Sequence, residues 1–236
     1  MDFFYVPLTV DDPQTDEASI LDVLTDMWRK ELSSDLMLLN YYEMLPISYS
    51  STILNVHQGQ VELAVHRNQA VVMLAQKLTF LKSSHFPHHV LAVVQGAQIE
   101  RQLALLSRYS YVTLPAERRK NLRVNMEGRF EAVIQFGSIK ITGTVHDLSI
   151  AGIAVNSGQL CLVEEGTPGK ITFTYNGKTT SAKVKLMRFS DDAGMRKYIV
   201  SLELDAINER NVYQIIMLRE HEIIQKLRDQ VERQLL

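Results

Sequence analysis

Between Arg129 and Leu204 the chain alternates short β-rich segments with turn signals, and this constrains its fold more than any other feature. The segments run over 129–136, 139–147, 152–156, 169–175, 179–189 and 196–204, and they read as six strands. Asn176-Gly177, set between Thr174-Tyr175 and Lys178-Thr179, is a strong two-residue hairpin signal. A type I′ turn needs positive φ at both central residues, and Asn and Gly supply it.

Two polar clusters accompany this series, and packing requires neither. Arg118-Arg119-Lys120-Asn121-Leu122-Arg123 precedes the first strand, and Asp147-Leu148-Ser149-Ile150-Ala151-Gly152 lies where the second strand passes to the third. A guanidinium presents a rigid fork of donors that meets a phosphate, or the O6/N7 edge of guanine, with two parallel hydrogen bonds. Ionised Asp147 only accepts, which suits the N1–H and N2–H donors of guanine, while Ser149 can donate or accept. Gly152 allows positive φ, or a backbone passing close to a ligand. A sheet folding back would join the clusters into a site for a dianionic ligand. The competing reading is a solvated basic linker followed by a turn in which Asp, Ser and Gly are ordinary formers.

Arg119-x-x-x-Arg123 and Asp147-x-Ser149-x-x-Gly152 together resemble the R-x-x-x-R and [D/N]-x-S-x-x-G signature of PilZ domains, with no departure at the five signature positions. The resemblance spans roughly 116–205. It implies a small six-stranded β-barrel that receives the bacterial second messenger cyclic di-GMP. The implied ligand residues are Arg118, Arg119, Arg123, Asp147, Ser149 and Gly152. Arg118, just before the signature pair, is expected to stack its guanidinium on a purine and to favour a stacked ligand dimer.

The remainder of the 236 residues is long enough for a second domain. Residues 1–14 form an aromatic-tipped arm, and Leu21, Leu24, Trp28 and Leu32 recur at helical spacing in a helix expected over 16–39 with Thr15 or Asp16 as its cap. Trp28 is placed in the core. From Pro46 to Thr113 the pattern is of short strands, at 47–56, 61–66, 78–82, 90–95 and 99–112, interrupted by a helix at 68–76, which suggests another small barrel. Tyr109 and Tyr111 pack one face of the last strand. A β-barrel in front of a PilZ domain resembles the flagellar-brake, YcgR-like, layout. Pro115-Ala116-Glu117 reads as a linker, and a long helix from about Asn208 carries the apolar stripe Met217, Ile224, Leu227 and Val231.

The expected fold class is therefore mainly β: two small barrels, an N-terminal helix and a long C-terminal helix. The expected divisions are 1–40, 41–114, a linker at 115–124, 125–206 and 207–236. The terminal helix is expected to support a homodimer.

A formal charge of −2 gives no general attraction to nucleic acid or anionic membrane. Early acids at Asp2, Asp11 and Asp12 replace the basic start of a signal peptide, and the lone Cys161, read as a small buried hydrophobe, excludes an internal disulfide. No apolar run reaches 18 residues, so no membrane span is expected. His85, His88 and His89 share their loop with no Cys or carboxylate, so an exposed loop is expected there and no metal site. No nucleophile–base pairing or Gly-rich phosphate loop points to an enzyme or a cofactor.

The function expected is a cytoplasmic, non-catalytic cyclic di-GMP receptor whose ligand changes the inter-domain arrangement. It would act through a partner protein on motility, adhesion or biofilm functions. The alternatives are a DNA-binding transcriptional regulator, which would need a helix-turn-helix pattern or basic face that the sequence lacks, and a PilZ-fold interaction module independent of ligand.

Overall fold

The structure, a computed structural model, describes residues 5–118, 121–126, 130–192 and 194–235, without the side chains of Arg118, Asp192 and Leu235. The chain divides into two compact units. The first comprises Met1–Tyr42, Pro46–Lys120 and Ile224–Leu236, and the second Glu43–Leu45 and Asn121–Ile223.

The first unit opens with β1 (Val6–Pro7) and α1 (Pro13–Arg29). The helix starts one turn earlier than expected. Pro13 sets the helical φ at the first position, and the Asp12 carboxylate accepts from the Gln14 and Thr15 amides, so Asp12 is the cap in place of Thr15 or Asp16. It also ends earlier, at Lys30 in the left-handed region, φ 65°, whose N–H donates to the Asp26 and Met27 carbonyls. The buried stripe is Ile20, Leu24 and Met27, turned by one residue from the expected one. Trp28 is consequently 38% exposed, with its indole N–H donating to the Leu54 carbonyl at 3.0 Å.

The stretch after α1 becomes β2 (Met37–Tyr42), then β3 (Leu45–Ser50), β4 (Thr52–His57), β5 (Gln60–Ala64), α2 (Arg67–Gln76), β6 (Leu78–Lys82), β7 (His89–Gln98) and β8 (Leu103–Thr113). The expected strand at 47–56 is thus two, broken at Ser51. The sheet order is β3-β2-β6-β7-β8-β5-β4, with β1 added on β8, and it curls as a half-barrel. Tyr109 and Tyr111 both lie in its core. Asn40 of β2 is fully buried and fully used: its amide donates to Gln76 Oε1 and the Leu78 carbonyl, and its oxygen accepts from Gln69 and Thr79. A buried amide satisfied in this way fixes α2 on β2 and β6.

In the second unit β9 (Arg123–Asn125) is followed by β10 (Glu131–Phe136), β11 (Ile139–Ser149), β12 (Gly152–Ser157), β13 (Pro168–Tyr175), β14 (Lys178–Asp192), β15 (Met195–Glu203) and α3 (Ala206–Leu235), whose residues from Ile224 on belong to the first unit. The order β10-β13-β14-β15-β12-β11 closes through a β10–β11 pairing into the expected six-stranded barrel. Its interior is filled by residues such as Ile134, Ile141, Val155, Ile171, Leu186 and Val200. Asn176 (φ 47°) and Gly177 (φ 75°) form the tight turn between β13 and β14. Cys161 is half-buried beside β15, where its backbone bonds the Tyr198 hydroxyl and Arg196.

Asp205 accepts from the Ile207 and Asn208 amides at the head of α3. The helix buries Val212, Ile215, Ile216 and Ile223. Farther along, Leu227 and Val231 belong to the first unit's core and Ile224 packs against it, so this chain takes up three of the four stripe residues itself. The stripe is therefore not the free association surface expected. A regular apolar spacing on a helix does not distinguish its own core from a partner's. None of the described helices is long and apolar enough to cross a membrane.

Candidate functional site

The site is assembled on β11, whose pairing changes along its length. Thr144 back to Ile139 pairs with β10, while Asp147, Leu148 and Ser149 pair on the same edge with Asn125, Val124 and Arg123 of β9. The change of partner coincides with a bulge between Val145 and Asp147 against β12. Bulges bend a strand and re-aim its side chains, and here the extra residue is His146.

Antiparallel pairing places Arg123 directly opposite Ser149, and period-two alternation puts Asp147 on the same face one step along. The Arg123 guanidinium lies 3.4 Å from Asp147 Oδ1, diagonally across the two strands. The other carboxylate oxygen, Oδ2, lies 2.9 Å from His146 Nδ1. Asp147 is buried, at 4% exposure, so its charge is held between two donors rather than in water. Arg123 keeps 26% of its side chain exposed, and its buried Nε–H has no hydrogen-bond partner among the described residues. An unsatisfied charged donor beside open surface is a place where an anion is favoured.

Ser149 and Gly152 are used locally. Ser149 Oγ accepts from the Gly152 amide and donates to the Gly152 carbonyl, each at 3.1 Å, which closes the turn from β11 to β12. Gly152 takes no positive φ. A Cβ there would stand 2.9 Å from the Val200 carbonyl of β15, so the close approach that requires glycine is between strands. The site residues Arg123, Asp147, Ser149 and Gly152 are thus brought to one corner of the barrel. Arg119 lies outside the described residues, as does the Arg118 side chain.

Two neighbours escaped the sequence reading. His146 adjoins Asp147, but successive residues of a regular strand face opposite ways, and only the bulge brings both to one place. Arg219 of α3, 1% exposed, donates from Nε to the Asn125 carbonyl at 2.7 Å and from its terminal nitrogens to Glu43 at 2.7 Å and Glu222 at 3.1 Å. It anchors the strand that carries Arg123, through contacts no sequence spacing announces.

The PilZ domain family model matches residues 117–218. The closed barrel belongs to that family. Solved structures of low similarity include Escherichia coli YcgR in complex with c-di-GMP, 15% identical over 90% of this chain and 94% of that one, with a TM-score of 0.44. The K. pneumonia MrkH–c-di-GMP complex is 11% identical over 90% and 97%, with a TM-score of 0.46. The Bacillus subtilis inhibitor of motility, MotI/DgrA, is 13% identical over 79% and 96%, with a TM-score of 0.41. No curated protein matches the sequence.

Proposed function

We propose that this PilZ protein is a cytoplasmic, non-catalytic receptor for cyclic di-GMP. The reading is carried by Arg123, whose Nε–H lacks a partner among the described residues while its Nη1 lies 3.4 Å from the buried Asp147 carboxylate. Arg123 and Arg119 take phosphate and the guanine O6/N7 edge. Asp147 accepts from the guanine N1–H and N2–H, while Ser149 and Gly152 hold the turn that frames it. Arg118 stacks on a purine and supports a second ligand molecule.

Ligand capture by the arginines of the 118–123 stretch changes the arrangement of the two units. A partner protein of a motility, adhesion or biofilm system reads that change. Isothermal titration with cyclic di-GMP tests the binding and its stoichiometry together. Saturable binding of two molecules per chain, reduced toward one in Arg118→Leu, is expected. Cyclic di-GMP recovered unchanged by chromatography after incubation supports a receptor, and turnover overturns it. Duplex DNA binding with a steep salt dependence would favour a transcriptional regulator instead.

A further inference from the structure

The residues just before the ligand arginines read as a linker in the sequence, yet they are fixed on the first unit. Pro115–Arg118 is a 3-10 turn in which the Glu117 amide donates to the Leu114 carbonyl at 3.1 Å. Leu114 is buried in a small apolar cluster with Leu39, Tyr41, Phe80 and Val112, and Ala116 packs against it. Glu117 turns its carboxylate to β6 and β7. One oxygen lies 3.3 Å from Lys82 Nζ, at the end of β6, and the other 2.7 Å from His89 Nε2, at the start of β7. The ring nitrogen is not in line for a hydrogen bond, so the directed bond is the one from Lys82.

Lys82 and His89 are themselves held. The 83–88 loop between them is pinned by Asp35, which accepts from Ser83 Oγ at 2.5 Å and from the Ser84 amide at 2.8 Å, and Phe86 of the loop is buried. His89 also pairs with Val112 of β8, just before Leu114. Arg118 and Arg119 follow Glu117 directly. The first unit runs to Lys120 and the second resumes at Asn121, so the two signature arginines fall on either side of that boundary.

We infer that Glu117 is a positioning residue for the ligand arginines: held by Lys82 and His89, it fixes the point on the first unit from which Arg118 and Arg119 reach cyclic di-GMP. This rests on the receptor reading above. Donors that start from a fixed point lose less freedom on capture, which raises affinity without a further contact to the ligand.

The sign of the effect separates positioning from simple charge. Glu117 is an acid beside arginines that receive an anion. Acting through charge alone, it would repel the phosphates, and neutralising it would tighten binding. Acting by holding the turn, it has the opposite effect: neutralising it takes the ionic partner from Lys82 and the fixed origin from Arg118 and Arg119, and binding weakens.

The test is titration of the full chain with cyclic di-GMP at one pH and one ionic strength. Glu117→Gln keeps the length of the side chain and removes its charge. It should bind about threefold more weakly than wild type, and Glu117→Ala about fivefold, within the range that partly exposed ion pairs cover. Urea midpoints should stay close to wild type, because Leu114 and Ala116 keep their packing. The Arg118→Ala/Arg119→Ala chain keeps Arg123 and binds more weakly, and adding Glu117→Gln to it should cause no further loss, since no arginine is left for Glu117 to place. Binding by Glu117→Gln equal to or tighter than wild type overturns the positioning role, and so does an equal loss with and without the two arginines. A wild type that does not bind overturns the receptor reading and this one with it.

Discussion

Gly152 of β12, paired with Ser201 of β15, lies so close to the neighbouring Val200 that a Cβ on the glycine would stand 2.9 Å from the valine carbonyl oxygen. A backbone oxygen cannot swing aside as a side chain can, so Gly152→Ala must push the strands apart. Overpacking of this kind costs roughly 1–3 kcal/mol. Urea denaturation should show a lower midpoint with the slope unchanged, and an unaltered midpoint would mean that the strands relax without cost. In the proposed receptor Gly152 would act on the ligand only indirectly, through the turn that Ser149 closes on it.

Arg123→Ala should remove most ligand binding while the fold stands, because β9 retains its backbone pairing with β11 and no core volume is lost. Charge-assisted hydrogen bonds contribute roughly 1.5–3 kcal/mol, or about ten- to a hundredfold in affinity. Arg123→Lys keeps the charge and loses the fork, so it should also bind poorly. Titration curves equal to wild type for either variant would remove Arg123 from the site.

The barrel was legible because its signals are local. Alternation marked its six strands, and Asn176-Gly177 marked one turn through the positive φ it requires. What the sequence hid depended on distant partners. β9 has three residues, too few for periodicity, and exists because β11 offers an edge where β10 leaves it. Met37–Tyr42 is mostly apolar and buried, so it had no alternation to separate a strand from the end of α1. In the site, motif spacing gave Arg123, Asp147, Ser149 and Gly152. The bulge that adds His146 and the helix that sends Arg219 to Asn125 are tertiary facts.

Arg219 is 1% exposed, so removing one side of its ion pairs strands charge in the interior. Arg219→Met should destabilise the second unit by roughly 3–5 kcal/mol. Glu43→Gln leaves the arginine with Glu222 and the Asn125 carbonyl, and should cost less. Because Arg219 Nε holds β9 two residues from Arg123, Arg219→Met should also weaken cyclic di-GMP binding under conditions where the protein remains folded. Thermal denaturation and titration of the same samples separate the two effects. Ligand affinity equal to wild type in a destabilised but folded variant would show that β9 holds its place without this anchor.

The C-terminal helix offers the sharpest contrast between an internal and an external role. Leu227 is fully buried in the first unit's core, whereas Met217, on the same sequence stripe, is 45% exposed. If the stripe served mainly to join two chains, Met217→Asp and Leu227→Ala would both lower the sedimentation mass and leave the monomer equally stable. The packing requires a different outcome. Leu227→Ala should cost roughly 2–5 kcal/mol of stability, as a large-to-small core change does. Met217→Asp should stay within about 0.5 kcal/mol of wild type, as an exposed substitution does. Analytical ultracentrifugation of both variants beside the wild type, with chemical denaturation of the same preparations, gives mass and stability together. A fall in mass for Met217→Asp at unchanged stability would return part of the stripe to a second copy of the chain, while a fall in stability for Leu227→Ala alone confirms it as this chain's own core.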